Sequence, residues 1–129
     1  MQLDFKKLDG LLPAIIQDQD SGEVLMLGFM NEQAYAETLA TGAVTFFSRS
    51  RNKLWRKGEQ SGHTLQVREV RVDCDADTVL VRVEALGPGV CHEGYRSCFY
   101  RQLAADGAAT VVEERTFDPN AVYGKDSKK

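Results

Sequence analysis

Short apolar, β-branched runs, each closed by a cluster of turn residues, constrain this chain more than any other feature. Ala14-Ile15-Ile16 and Val24-Leu25-Met26-Leu27 flank the turn cluster Asp18-Gln19-Asp20-Ser21-Gly22, which predicts a hairpin over residues 14–30. Leu65, Val67, Val70 and Val72, followed by Val79, Val81 and Val83, repeat that pattern and predict a second hairpin with residues 73–78 at its tip. Val44-Thr45-Phe46-Phe47 is a further strand, and residues 99–103 and 110–112 are shorter late elements. Helix signals converge at one place. Asn31 stands where an N-cap belongs, Glu32 puts negative charge in the first turn, helix formers fill residues 34–40, and Gly42 is placed to stop the helix. Tyr35 and Leu39, four apart, are expected on its buried face. The expected fold is therefore α+β: a small domain dominated by an antiparallel sheet, with few helices.

A chain of 129 residues, 43% hydrophobic and 27% charged, can bury a core without disulfide or metal staples. One domain over residues 1–129 is expected, with 118–129 as a flexible C-terminal tail. No apolar run approaches the ~20 residues of a membrane span, and the start Met1-Gln2-Leu3-Asp4-Phe5-Lys6-Lys7 lacks a signal peptide's apolar stretch. A cytoplasmic protein without a membrane partner is the expectation. Sixteen basic against nineteen acidic residues give a net charge of −3, which argues against coating nucleic acid by bulk charge.

That net value hides an uneven distribution. Between Thr38 and Gly58 there is no acidic residue, while Arg49, Arg51, Lys53, Arg56 and Lys57 crowd together. Such a run is either an anion site or a strand edge kept from pairing by its charges. Trp55 within it can stack on a planar base, with arginine adding cation–π contact, or it can serve the core. Asp73, Asp75 and Asp77 alternate along the chain, so extended backbone would put the carboxylates on one face and Cys74 on the other. Crowded carboxylates repel unless a cation neutralises them, and oxygen donors suit Mg²⁺ or Ca²⁺; the same residues also suit a polar hairpin tip.

Cys74, Cys91 and Cys98 cannot all pair within one chain, which turns attention to thiol chemistry or metal binding. Three thiolates leave zinc one open position for a water whose pKa falls to about 7. Each cysteine taken singly also reads as a small buried hydrophobe. His92, beside Cys91, has three readings: metal ligand, general acid or base, or packing. Three kinds of protein fit these residues. The first is a zinc hydrolase. The second is a non-enzymatic domain in which Cys74, Cys91, Cys98 and His92 close a structural zinc site and the basic strand binds RNA or nucleotide. The third is a hydrolase with Cys91 as nucleophile, disfavoured because adjacent residues seldom present their side chains to each other.

Four segments in order, residues 48–63, Asp73-Cys74-Asp75-Ala76-Asp77, Cys91-His92-Glu93-Gly94 and Ser97-Cys98-Phe99, closely resemble the phosphoribosyl-AMP cyclohydrolase family of histidine biosynthesis. The resemblance covers roughly residues 14–104 and implies an intertwined homodimer in its form without a fused pyrophosphohydrolase domain. It implies one zinc per subunit, held by Cys74 of one chain and by Cys91 and Cys98 of the other. Magnesium at Asp73, Asp75 and Asp77 and an acid/base role for His92 are also implied. The small-molecule substrate would be 1-(5-phosphoribosyl)-AMP, opened at N1–C6 to the formimino carboxamide ribotide, with no nucleic-acid partner. Its phosphates, ribose and purine give Ser48, Arg49, Ser50, Arg51, Trp55, Arg56, Lys57, Ser61 and Gly62 substrate contacts. Two departures stand out. Gln66 lies one residue beyond the family's glutamine position, a shift that reverses the face on a strand, and Glu93 replaces a common threonine.

Overall fold

Turn chemistry lays out the first half of the sheet. The computed structural model describes residues 2–123. Strand β1 (Leu12–Asp18) and β2 (Val24–Met30) form the expected hairpin, with the Asp18 carboxylate accepting from both the backbone and the hydroxyl of Ser21 in the turn. Helix α1 (Glu32–Thr41) begins where Asn31 Oδ1 accepts from the Ala34 N–H at 2.8 Å and ends at Gly42, whose φ of 75° only glycine adopts readily. There follow β3 (Thr45–Ser48), β4 (Lys53–Arg56), β5 (Leu65–Val72), β6 (Val79–Ala85), β7 (Arg101–Leu103), β8 (Ala109–Val111) and the helical turn α2 (Pro119–Tyr123). The tail expected from residue 118 thus opens on a helical turn, and residues 124–129 lie outside the described residues.

The main sheet runs β2-β1-β6-β5; its hairpins are antiparallel as expected, and the exception is the central pair, β1 and β6, which run parallel with Ile16 opposite Val81. The two hairpins are each antiparallel, but their inner strands meet side by side in the same direction. This is possible because the helix and the β3–β4 ribbon carry the chain back across the sheet between them. Leu12, Ala14 and Ile16 of β1 and Val79, Val81 and Val83 of β6 are almost wholly buried, so the alternation read from the sequence marks the core. At about 25 cal/mol per Å², each such side chain contributes on the order of 1.5–3 kcal/mol.

The helix uses a different face from the expected one. Ala34 and Thr38 are buried, whereas Leu39 is 52% exposed and Tyr35 is partly buried. The Thr38 hydroxyl explains this: it donates to the Ala34 and Thr45 carbonyls and accepts from the Thr45 N–H at 3.0 Å, tying α1 to β3. Phe46 of β3 is fully buried against bare backbone, since a Cβ on Gly28 would lie 2.4 Å from its ring. Phe46 also meets Trp55 across the β3–β4 ribbon, ring centroids 5.1 Å apart. By contrast, every residue of β7 and β8 is exposed, and this hairpin stands off the body with Leu103 and Val111 in solvent.

Candidate active site

The β3–β4 ribbon and the turn after it form one wall of a cavity of about 300 Å³, and His92 reaches it from the other side. Ser48, Ser50, Arg51, Trp55, Arg56 and Ser61, all expected substrate contacts, line this cleft, and Lys57 borders it too. The basic run thus faces a concavity with a histidine in it. Arg49 is separated from the others: its guanidinium lies over Phe29, 4.2 Å from the ring centroid, in a neighbouring hollow. Gly62 contributes a turn with φ of 82° and is not part of the lining. Glu59 and Tyr123 also line the cleft, and the sequence reading missed both. Glu59 Oε1 accepts from the Arg56 N–H at 2.9 Å, closing the turn. Tyr123 was hidden in the tail, although Asp118 followed by Pro119 is a helix-start signal, and Asp118 Oδ1 does accept from the Asn120 N–H.

Next to His92 lies the thiol loop. Cys91 is buried and Cys98 partly so, and the Cys98 thiol donates to the Cys91 sulfur. That hydrogen bond holds the Cys91 thiol well below the usual range against the opposing effect of burial, helped by the Glu93 N–H at 3.4 Å and by the charge of His92. The same bond, with burial, pushes Cys98 up, while the Lys57 charge pulls it down. Two neighbouring cysteine sulfurs are a soft donor set suited to zinc. The loop is fastened to the first hairpin: the Cys98 N–H donates to Leu25 O at 2.7 Å, Ser97 Oγ to Val24 O at 2.8 Å, and Arg96 to Glu23 and Asp18 at 2.7 and 3.1 Å. Burial pushes the Asp18 carboxyl up, but its bonds from Ser21 and the Arg96 charge outweigh that and leave it below the usual value.

Cys74 sits elsewhere, exposed on the acidic loop. Among the described residues the one cluster of three or more possible metal ligands is Asp73, Asp75 and Asp77, with ligand atoms within 4.8 Å of one another. The carboxylates converge, though not by strand alternation as expected. Residues 73–77 are a turn, in which Asp73 Oδ1 accepts from the Asp77 and Thr78 N–H groups and Ala76 has φ of 64°. The Lys7 ammonium lies 3.0 Å from both Asp75 and Asp77 and is raised in pKa by hydrogen bonds to Asp77 and Asp75. The Lys7 ammonium fills the charge-neutralising role here, and the oxygen donors themselves are of the kind a hard divalent ion takes.

The departures from the family pattern also have places. His92 Nε2 is 3.5 Å from Glu93 Oε2, and both side chains are about half exposed. Gln66 lies on the exposed face of β5, accepting from Arg68 at 3.3 Å, away from the cleft. His63 pairs through Nδ1 with Gly89 O at 3.1 Å and meets the Phe117 ring edge-on, bracing the turn that leads into Cys91.

A cationic, indole-walled cleft with a histidine in it, next in sequence to a buried thiol, has the make-up of an enzyme site. The family model described as phosphoribosyl-AMP cyclohydrolase matches residues 26–100. A protein of that name from Solibacter usitatus is 61% identical over 96% of this chain and 98% of its own length. Those from Desulforapulum autotrophicum and Nitratidesulfovibrio vulgaris are 53% and 55% identical over 95% and 93% of the chain, covering 98% and 94% of their own lengths. The chain belongs to the phosphoribosyl-AMP cyclohydrolase family and is an enzyme of histidine biosynthesis.

Proposed function

We propose that this enzyme hydrolyses the N1–C6 bond of 1-(5-phosphoribosyl)-AMP, giving the formimino carboxamide ribotide. The observation that carries the reading is the shared cleft: His92, Trp55, Arg51 and Arg56 line one cavity, and Cys91 is next to the histidine in sequence. Trp55 offers a face for the purine, Arg51 and Arg56 take phosphate oxygens, and the hydroxyls of Ser48, Ser50 and Ser61 orient the ribose or phosphates. Ribosylation at N1 denies the ring its neutral aromatic form, which makes C6 electrophilic and N1 a feasible leaving nitrogen. Water oxygen adds to C6, His92 accepts its proton, and the proton passes to N1 as the N1–C6 bond breaks. A placed acid/base group of this kind is worth about 10²–10⁴-fold.

Zinc, when bound, supplies a water of lowered pKa and a Lewis acid. Cys91 and Cys98 hold it together with Cys74 of a second copy, because within one chain Cys74 lies apart from the pair on the acidic loop. Magnesium is held by Asp73, Asp75 and Asp77. The standing-off β7–β8 hairpin, with Phe99, Leu103, Val111 and Val112 exposed, supports an intertwined homodimer in which a second copy covers those side chains. Among the described residues no helix is long and apolar enough to cross a membrane, and the reading places the enzyme in the cytoplasm. His92 is half exposed and lines the cleft, which favours catalysis over a closed structural zinc site.

An absorbance assay with phosphoribosyl-AMP tests the reading. Dialysis against a chelator should abolish ring opening and Zn²⁺ should restore it, whereas a fully active metal-free protein would sink the zinc mechanism. Mixing Cys74→Ala with Cys91→Ala chains should restore part of the activity, because one of the two sites in the mixed dimer is whole. No recovery despite demonstrated subunit exchange counts against a shared site.

A further inference from the structure

Lys57 is the one member of the basic run whose side chain is buried. It is 9% exposed, and its ammonium donates to the carbonyl oxygen of Val90, 2.5 Å away, the residue immediately before Cys91 and His92. Its backbone leaves it little choice of direction. The Lys57 N–H is bound to Val44 O at 3.0 Å, and a Cβ on the next residue, Gly58, would lie 2.6 Å from the backbone of His63. The strand end is thus clamped on both sides, and the side chain is turned inward under the thiol loop. Val90 is itself 2% exposed, and its N–H is used by Arg96 O. Among the described residues no backbone N–H reaches the Val90 carbonyl, so the ammonium satisfies an acceptor that would otherwise be costly to bury.

We propose that Lys57 is a positioning residue, which holds the Val90 carbonyl and so sets the backbone from which Cys91 and His92 project, rather than a ligand of substrate phosphate. This inference rests on the functional reading above. Arg51 and Arg56 remain for the phosphates. Lys57 couples the wall of the cleft to the backbone that leads into Cys91 and His92 through a buried charge-assisted bond, so a disturbance there is felt at the histidine and the thiols. Its effect should appear in turnover and in metal retention, with substrate affinity left alone.

Steady-state kinetics on the zinc-loaded full chain, with Lys57→Met and Lys57→Arg beside Arg56→Met, separate the two roles. Lys57→Met should lower kcat about 10- to 100-fold with KM within about twofold, as loss of a buried bond from a charged donor implies. Lys57→Arg, which keeps a donor and the charge, should recover much of the loss, and Arg56→Met should instead raise KM. A second readout does not depend on turnover: zinc transfer to a colorimetric chelator should be about tenfold faster from Lys57→Met than from the parent protein. A raised KM with unchanged kcat, or unchanged zinc release together with unchanged kcat, overturns the proposal. If Lys57→Met precipitates, Lys57→Gln, which keeps a donor without the charge, takes its place: a lowered kcat with unchanged KM is expected, and a raised KM with unchanged kcat overturns the proposal. A parent protein that holds zinc yet leaves phosphoribosyl-AMP unchanged defeats the functional reading instead, and the zinc-release comparison still judges Lys57.

Discussion

The acidic loop and the thiol loop both gather metal-type donors, yet they differ in burial and in how they are tied to the body. Residues 73–77 form an exposed turn shaped by its own N–H groups on Asp73, with Lys7 reaching in from the start of the chain to neutralise Asp75 and Asp77. The Cys91–Cys98 loop, more buried, adds to its own bonds, Cys91 N–H to Tyr95 O and Gly94 N–H to Cys91 O, a set of fastenings to Leu25, Val24, Asp18, Glu23 and Lys57. A turn shaped mainly by its own N–H groups keeps that shape when its ion leaves. A loop held by distant elements transmits damage from them, and this difference predicts where mutation is felt most.

The largest effect should come from Cys91→Ser, which is expected to lose zinc and ring opening together, measured by metal analysis and the absorbance assay. Next, His92→Ala should keep its zinc and lose about 10²–10⁴-fold in turnover; loss of metal in this variant would instead favour a closed structural site. Arg96→Ala, which strips the buried Asp18 of its partner, should cost on the order of 1–3 kcal/mol in a denaturant titration. That loss should also depend on pH. Asp18 is held below its ordinary value of 3.8 in the fold, so its contribution is present above that value and fades as pH falls through the lowered one. The parent protein should therefore lose stability on acidification in that range more steeply than Arg96→Ala, and parallel curves would break the link between Arg96 and Asp18. Smallest of all, Lys7→Ala should leave the melting temperature nearly unchanged, as solvent screens exposed ion pairs. Isothermal titration should nonetheless show Mg²⁺ binding up to about fivefold tighter, since a resident positive charge has gone. Weaker binding would contradict the competing role.

Much of the fold was legible where local chemistry decides it. The Asp18–Gly22 turn, the Asn31 cap and the Gly42 stop were readable because each acts within a few residues. The parallel pairing of β1 with β6 was not, since nothing near Ile16 announces Val81 as its neighbour. Leu39 misled because periodicity names an apolar residue, whereas the Thr38 hydroxyl found partners in β3 that only the tertiary fold supplies. In the site, the cleft lining of Ser48, Arg51, Trp55 and Arg56 could be anticipated from one charged run. The divergence of Arg49 onto Phe29 and the burial of Lys57 could not, because charge alone does not say which way a side chain turns. The aspartates were legible as the polar tip of the second hairpin, and it is that turn, not the alternative strand face, that gathers their carboxylates.

The beginning of the chain rests on the acidic loop: the Asp4 N–H donates to Ala76 O at 2.7 Å, three residues before Lys7 reaches the carboxylates. Purification handles are commonly fused at that end. A polyhistidine extension there would hang a string of zinc-binding rings beside the aspartates, and measurements of zinc on such a product would report the handle along with the enzyme. Cleaving the handle before titration keeps the ion chemistry that of the protein alone.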